Sequence, residues 1–170
     1  MAGADARELA ARWWKWADSA PNGRSPVQDT TGEHAQWSQP SDVWFLAGTY
    51  GGRVVRRCTV PSDRPLFFPV LNTRRLALGF SARPLRIATS CAGAELNGIP
   101  LPVREATSKR FWSIGPQVAW GLWSTIDPLL PGDYVLSVTA KTKTGDFWVD
   151  TTYHLTAVPA DRDRQDAPGA

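Results

Sequence analysis

Four carboxylates and a surplus of indoles define the chemistry open to this chain. Asp29, Glu33, Glu95 and Glu105 are available for proton transfer, because a carboxyl desolvated among aromatic rings is pushed toward neutral pH, where it can give and take a proton. Tryptophan supplies 9 of the 170 residues, and indole faces steady positive charge as it develops on a substrate. Asp29, Glu33 and Glu105 are the catalytic candidates. Trp44, Trp120 and Trp123 are the candidate walls of a ligand pocket, the last two flanking Gly121, which lets backbone approach closely. His34 and Gln39, from the long polar stretch Ser25 to Asp42, are added as ligand-binding candidates. Glu33 and His34 are adjacent, so on an extended segment they point to opposite sides and one at most enters the pocket. Asp29 with Thr31 also fits a simple side-chain turn.

Other chemistries find little support. The sequence has no GxSxG elbow, HExxH, P-loop or dinucleotide fingerprint. Two histidines, His34 and His154, rule out a three-histidine metal site, and Cys58 and Cys91 lack CxxC spacing. No metal and no cofactor are expected. The net charge of +3 comes mainly from arginines between Arg53 and Arg110 that alternate with core residues, as on solvated strand faces. A nucleic-acid surface would cluster them with stacking aromatics. No apolar run reaches the ~18 residues of a membrane span, and MAGADARELAARWWKW lacks the pattern of a secretory signal. The expectation is a soluble, cytoplasmic protein with reduced cysteines, a small-molecule ligand or substrate, and no nucleic-acid or membrane partner. Its oligomeric state is left open.

The elements that must position these residues centre on Val43 to Asn72. Val43 to Ala47 is apolar on both parities, which predicts a central strand buried on two sides with Trp44 and Phe45 both inside. Tyr50-Gly51-Gly52 then predicts a hairpin into Arg53 to Val60. Leu66 to Leu71 is a third strand, and Pro69 within it calls for a sheet edge or a bulge. Before these, Leu9, Trp13 and Trp16 at helical spacing predict a helix over about 5–18, covering a sheet end; its three indoles cannot all face one way. After them come a basic connection (Asn72 to Ala82), a strand over Leu85 to Leu96, an Asn97-Gly98 hairpin into Ile99 to Val103, and a strand near Phe111 to Ile114. In the last hairpin Tyr134, Leu136 and Val138 alternate against Phe147, Val149, Thr151 and Tyr153. This is an all-β pattern: an antiparallel β-sandwich or jelly-roll-like domain over 1–158, with one short N-terminal helix and a disordered tail over 159–170.

The stretches DTTG (Asp29 to Gly32), VWFLAGTYGG, RCTVP, PLFFPVLN, LNGIPL, SKRF, GLW and LLPGDY resemble a family of uncharacterised bacterial β-rich proteins labelled as signal proteins, over about Trp13 to Val158. The resemblance implies a fold and no assigned reaction. Its members begin with a secretion signal, carry a cysteine where Ala35 stands, and tend to have arginine where Glu105 stands. Lack of the signal and of the cysteine fits an extracellular scaffold taken into the cytosol, and Glu105 would be a charge reversal.

Two functions therefore stay open. One is an intracellular small-molecule enzyme with a tryptophan-lined pocket and cofactor-independent acid/base chemistry, a cyclase, isomerase or lyase of specialised metabolism. The other is a noncatalytic module for a carbohydrate or other small ligand. A closed cavity holding one carboxylate suits the enzyme; a flat row of exposed indoles suits the binder.

Overall fold

The structure, a computed structural model, describes residues 5–160. Helix α1 (Ala6–Ser19) starts where the Asp5 carboxylate accepts the Arg7 N–H at 3.0 Å, with Glu8 in the first turn favourably placed against the helix dipole. Leu9, Trp13 and Trp16 form its buried stripe. Trp14 points elsewhere and lies under the Arg74 guanidinium, 4.6 Å from ring centroid to Cζ.

Ten strands follow: β1 (Trp44–Phe45), β2 (Gly52–Pro61), β3 (Leu66–Leu76), β4 (Thr89–Leu96), β5 (Ile99–Pro100), β6 (Val103–Thr107), β7 (Phe111–Ser113), β8 (Gly115–Ile126), β9 (Gly132–Thr142) and β10 (Trp148–Val158). They make two sheets, β1-β3-β8-β6 with β7 also on β8, and β2-β10-β9-β4-β5. The class is an all-β sandwich with one N-terminal helix, not closed into a barrel. It is not purely antiparallel, because β1 joins β3 and β2 joins β10 in parallel, one such pair at an edge of each sheet. Helix α1 forms a third layer on the outer face of the first sheet, instead of covering a sheet end. Leu9, Trp13 and Trp16 pack there on Phe45, Phe67 and Trp123.

This third layer explains the two-sided apolar stretch. Trp44 and Phe45 are 9% and 1% exposed, yet β1 is a two-residue edge strand and not a central one. Trp44 and Leu46 face the core between the sheets, while Val43, Phe45 and Ala47 face the helix. Tyr50-Gly51-Gly52 makes no hairpin; with φ of 105° at Gly51 and 82° at Gly52 it carries the chain from one sheet to the other. Pro69 sits at a bulge, where the β3–β8 register shifts between Pro69 and Leu71, and that bulge allows proline in a strand flanked on both sides.

Residues 72–76 are strand and not connection, since Arg74 and Arg75 pair with Ala119 and Val118 of β8. The strand over Leu85 to Leu96 begins only at Thr89. Asn97 (φ 50°) and Gly98 (φ 78°) form the expected tight turn into β5. The last hairpin forms as expected, with Leu136 opposite Tyr153 and Val138 opposite Thr151, although Phe147 precedes β10. No described helix is long and apolar enough to cross a membrane. Of the tail expected over 159–170, residues 161–170 lie outside those described.

Candidate functional site

Asp29 anchors the long loop before β1. Its carboxylate accepts the backbone N–H of Thr31 at 2.7 Å, Gly32 at 2.9 Å and His34 at 3.0 Å, and the Thr31 hydroxyl at 2.8 Å. Burial pushes this carboxyl up, but the hydrogen bonds from Thr31, His34 and Gly32 together outweigh it and hold the group below its ordinary value. The side-chain-turn reading is the geometry observed, and it leaves Asp29 ionised. The loop is fixed to β2 where the Arg57 N–H donates to Thr31 O at 2.8 Å. A Cβ on Gly32 would stand 2.2 Å from Arg57 O.

Glu33 and His34 lie in successive turns and not on an extended segment, so they come together, with His34 Nε2 3.6 Å from Glu33 Oε1, and Glu33 is exposed. Gln39 is spent on backbone. Its amide donates to Ala35 O (2.7 Å) and Phe45 O (2.8 Å) while its carbonyl accepts the Phe45 N–H (2.8 Å), filling the ladder that β1 lacks on its open side. Glu95 and His154 stand on β4 and β10 of the second sheet, Glu95 exposed and His154 half-buried.

The residue that sequence reasoning missed is Arg56. It is 1% exposed and therefore no part of a solvated face. Its guanidinium donates to Asp29 O (2.7 Å), Ala47 O (3.1 Å), Gly48 O (3.0 Å), Val27 O (3.1 Å) and the Tyr153 hydroxyl (2.5 Å). Tyr153 in turn donates to Ala47 O at 2.6 Å, and burial pushes its phenol up to about 12. The loop, the segment that follows β1, and β10 are thus tied to one cation. A signal was present: Arg56 shares the parity of Cys58 and Val60, the inward side of β2.

Trp44, Trp120 and Trp123 do not wall a common pocket. Trp120 belongs to the core between the sheets, whereas Trp123 is on the opposite face of β8, stacked on Phe67 at 5.0 Å under α1. Residues three apart on a strand face opposite ways. Gly121 does permit close approach, since a Cβ there would meet Trp123 Nε1 at 2.6 Å. Trp44 joins Trp120 in the inter-sheet core, and its buried Nε1 finds no hydrogen-bond partner among the described residues.

Glu105 and Trp120 do meet. Glu105 Oε1 accepts the Trp120 indole N–H at 2.5 Å, and the carboxylate is gripped by Arg86, Nε to Oε1 at 2.6 Å and Nη2 to Oε2 at 2.8 Å. The cluster borders an open cleft of about 410 Å³ lined also by Ile87, Thr89, Leu122 and Lys143. A second, more enclosed cavity between the sheets, beside Gly48, Asn72, Phe147 and Thr151, measures about 20 Å³. That is room for one water, which the unpartnered Thr151 hydroxyl invites. Among the described residues no group of three or more His, Cys, Asp or Glu is placed to hold a metal ion.

The fold and cleft define a class: a β-sandwich with a helix layered on one sheet and an open cleft of mixed polar and apolar lining at its edge. No family model, curated protein or solved structure matches the chain.

Proposed function

We propose that this chain is a noncatalytic module that binds a small hydroxylated ligand, of the carbohydrate class, in the cleft formed by Arg86, Glu105 and Lys143. The observation that carries this reading is the state of Glu105, whose two oxygens already hold the Arg86 and Trp120 donors. A carboxylate so held is a fixed acceptor. It can take a ligand hydroxyl on its remaining lone pairs, Arg86 keeps a free Nη1, and Lys143 adds an ammonium with no ion pair among the described residues. Ile87 and Leu122 offer apolar surface to a sugar face. The cleft is open and Trp120 is only 3% exposed, so there is no stacking platform and affinity belongs near ~1 mM. Chemical-shift titration with a panel of neutral and acidic saccharides tests this. Perturbations should centre on Arg86, Thr89 and Lys143 and be lost in Arg86→Ala; saturating saccharide without any shift rejects the proposal.

The catalytic reading keeps one favourable observation, Glu105 against an indole in a cleft. It expects Glu105→Gln to cost ~10²-fold in turnover, whereas the binding reading expects weakened affinity only. Kinship with the signal-protein family and a reducing, cytoplasmic setting belong to the same proposal. The first is supported by the shared motifs; the two cysteines, three strands apart, would be free in either setting.

A further inference from the structure

At one end of the first sheet five large apolar side chains stand out of the protein. Leu76 is 49% exposed, Leu78 74%, Phe80 105%, Trp112 71% and Ile114 78%. They belong to two neighbouring loops, the exit from β3 and the tight β7–β8 turn. Ala77, buried, donates its N–H to Pro116 O at 2.8 Å; Leu76 pairs with Gln117 and Trp112 with Pro116; and Arg110 donates to Gly79 O. The two loops therefore form one tip.

Soluble surfaces scatter single apolar residues, but five large ones on a single tip, Leu76 and Trp112 on its two faces, mark a contact. Its flanks are basic. Arg75, Arg83 and Arg110 are exposed and form no ion pair among the described residues, while Asp18, which meets Ser113 of β7, is already taken by Arg74.

From this juxtaposition we infer that the tip docks on an anionic lipid surface, with Phe80, Leu78, Trp112 and Ile114 entering the headgroup boundary and the three arginines meeting lipid phosphates and carboxylates. Three features select this occupant. The side chains protrude and line none of the clefts described above, whereas protein partners hold their anchors in pockets. Tryptophan and phenylalanine with flanking arginines match the composition of the membrane interface. A second copy meeting the same tip would bring both sets of arginines together, which like charge opposes. Such a contact is peripheral and requires no spanning segment. It is also independent of the Glu105 cleft.

Co-sedimentation with vesicles tests it, comparing phosphatidylcholine alone with an equal mixture of phosphatidylcholine and phosphatidylserine. The full chain should pellet with the mixed vesicles at least ~tenfold more strongly than with the neutral ones, and the advantage should shrink with salt. Leu78→Ser with Phe80→Ser, and separately Arg75→Glu with Arg83→Glu, should each reduce binding ~tenfold or more at unchanged thermal midpoint; these positions are exposed, so the fold survives. Failure to bind the mixed vesicles overturns the inference, as does binding that both double variants retain. A concentration-dependent dimer in light scattering that Phe80→Ser abolishes would assign the tip to self-association instead.

Discussion

At the scale of single residues, burial has turned charged groups into joints. Asp29 holds four donors, and an Asn in its place would aim an amide N–H₂ at other N–H groups. Asp29→Asn should therefore destabilise the protein by ~2 kcal/mol, the scale of hydrogen bonds to a charged acceptor. The sign with pH follows from the lowered carboxyl: its contribution is complete above the unfolded value of about 4 and is lost as pH falls through the folded value. Thermal midpoints measured between neutral pH and acid should fall more steeply for the wild type than for Asp29→Asn. Arg56 is the stronger case. Arg56→Met strands the carbonyls of Val27, Asp29 and Gly48, leaving Ala47 O only its Tyr153 donor, and should cost on the order of 3 kcal/mol. Arg56→Lys should rescue little, since an ammonium cannot span those acceptors. Denaturant midpoints for the two variants decide this, and a near-wild-type Lys variant would refute the clamp.

Among the elements, the loop over 25–42 is the one whose order hangs on a local contact. Gly32 has φ 98° and lies where any Cβ would overlap Arg57 O, so Gly32→Ala must lift the loop from β2. Limited proteolysis should then cut between residues 25 and 42 at least ~tenfold faster while the sheets stay folded, because the variant opens a segment and not the core. Unchanged cleavage kinetics would show that the β2 contact does not order the loop. Helix α1 has a different tie, the Trp13 N–H to Leu46 O at 2.8 Å and the Trp16 N–H to Trp37 O at 2.7 Å. Indoles here serve as fasteners between layers.

For the whole molecule, the two thiols report on the sandwich. Cys58 lies inward on β2 and Cys91 is exposed on β4, with β10 and β9 between them. Three strand spacings alone, about 14 Å before the offset along the strands is added, are too far for a disulfide. Burial pushes the Cys58 thiol up to about 12. A thiol reagent should thus count one cysteine in the native protein and two in denaturant; a native count of two would mean that β2 opens. Cys58 and Tyr153 both have raised folded values. Their contribution is complete below the unfolded values, about 8.5 and 10, and is lost as pH rises through about 12. Alkaline melting should show the midpoint declining across that window.

Local pattern in the sequence was enough for α1, the Asn97-Gly98 turn and the inward faces of the β9–β10 hairpin, because each depends on side-chain period or on φ at one or two residues; at Pro69 it left a bulge and a sheet edge as alternatives. It was also enough to place Trp44 and Phe45 inside. What lay beyond it was which strands pair over long sequence distances. The parallel β2–β10 pairing, the crossover at Gly51-Gly52 and the helix layer that covers β1 join segments whose sequences carry no record of one another. The site divides the same way. Asp29 and Thr31 are neighbours, so their turn could be read directly, whereas the meeting of Arg86, Glu105 and Trp120, and the burial of Arg56 against Tyr153, exist only once strands distant in sequence have paired, β6 with β8 in one sheet and β2 with β10 in the other.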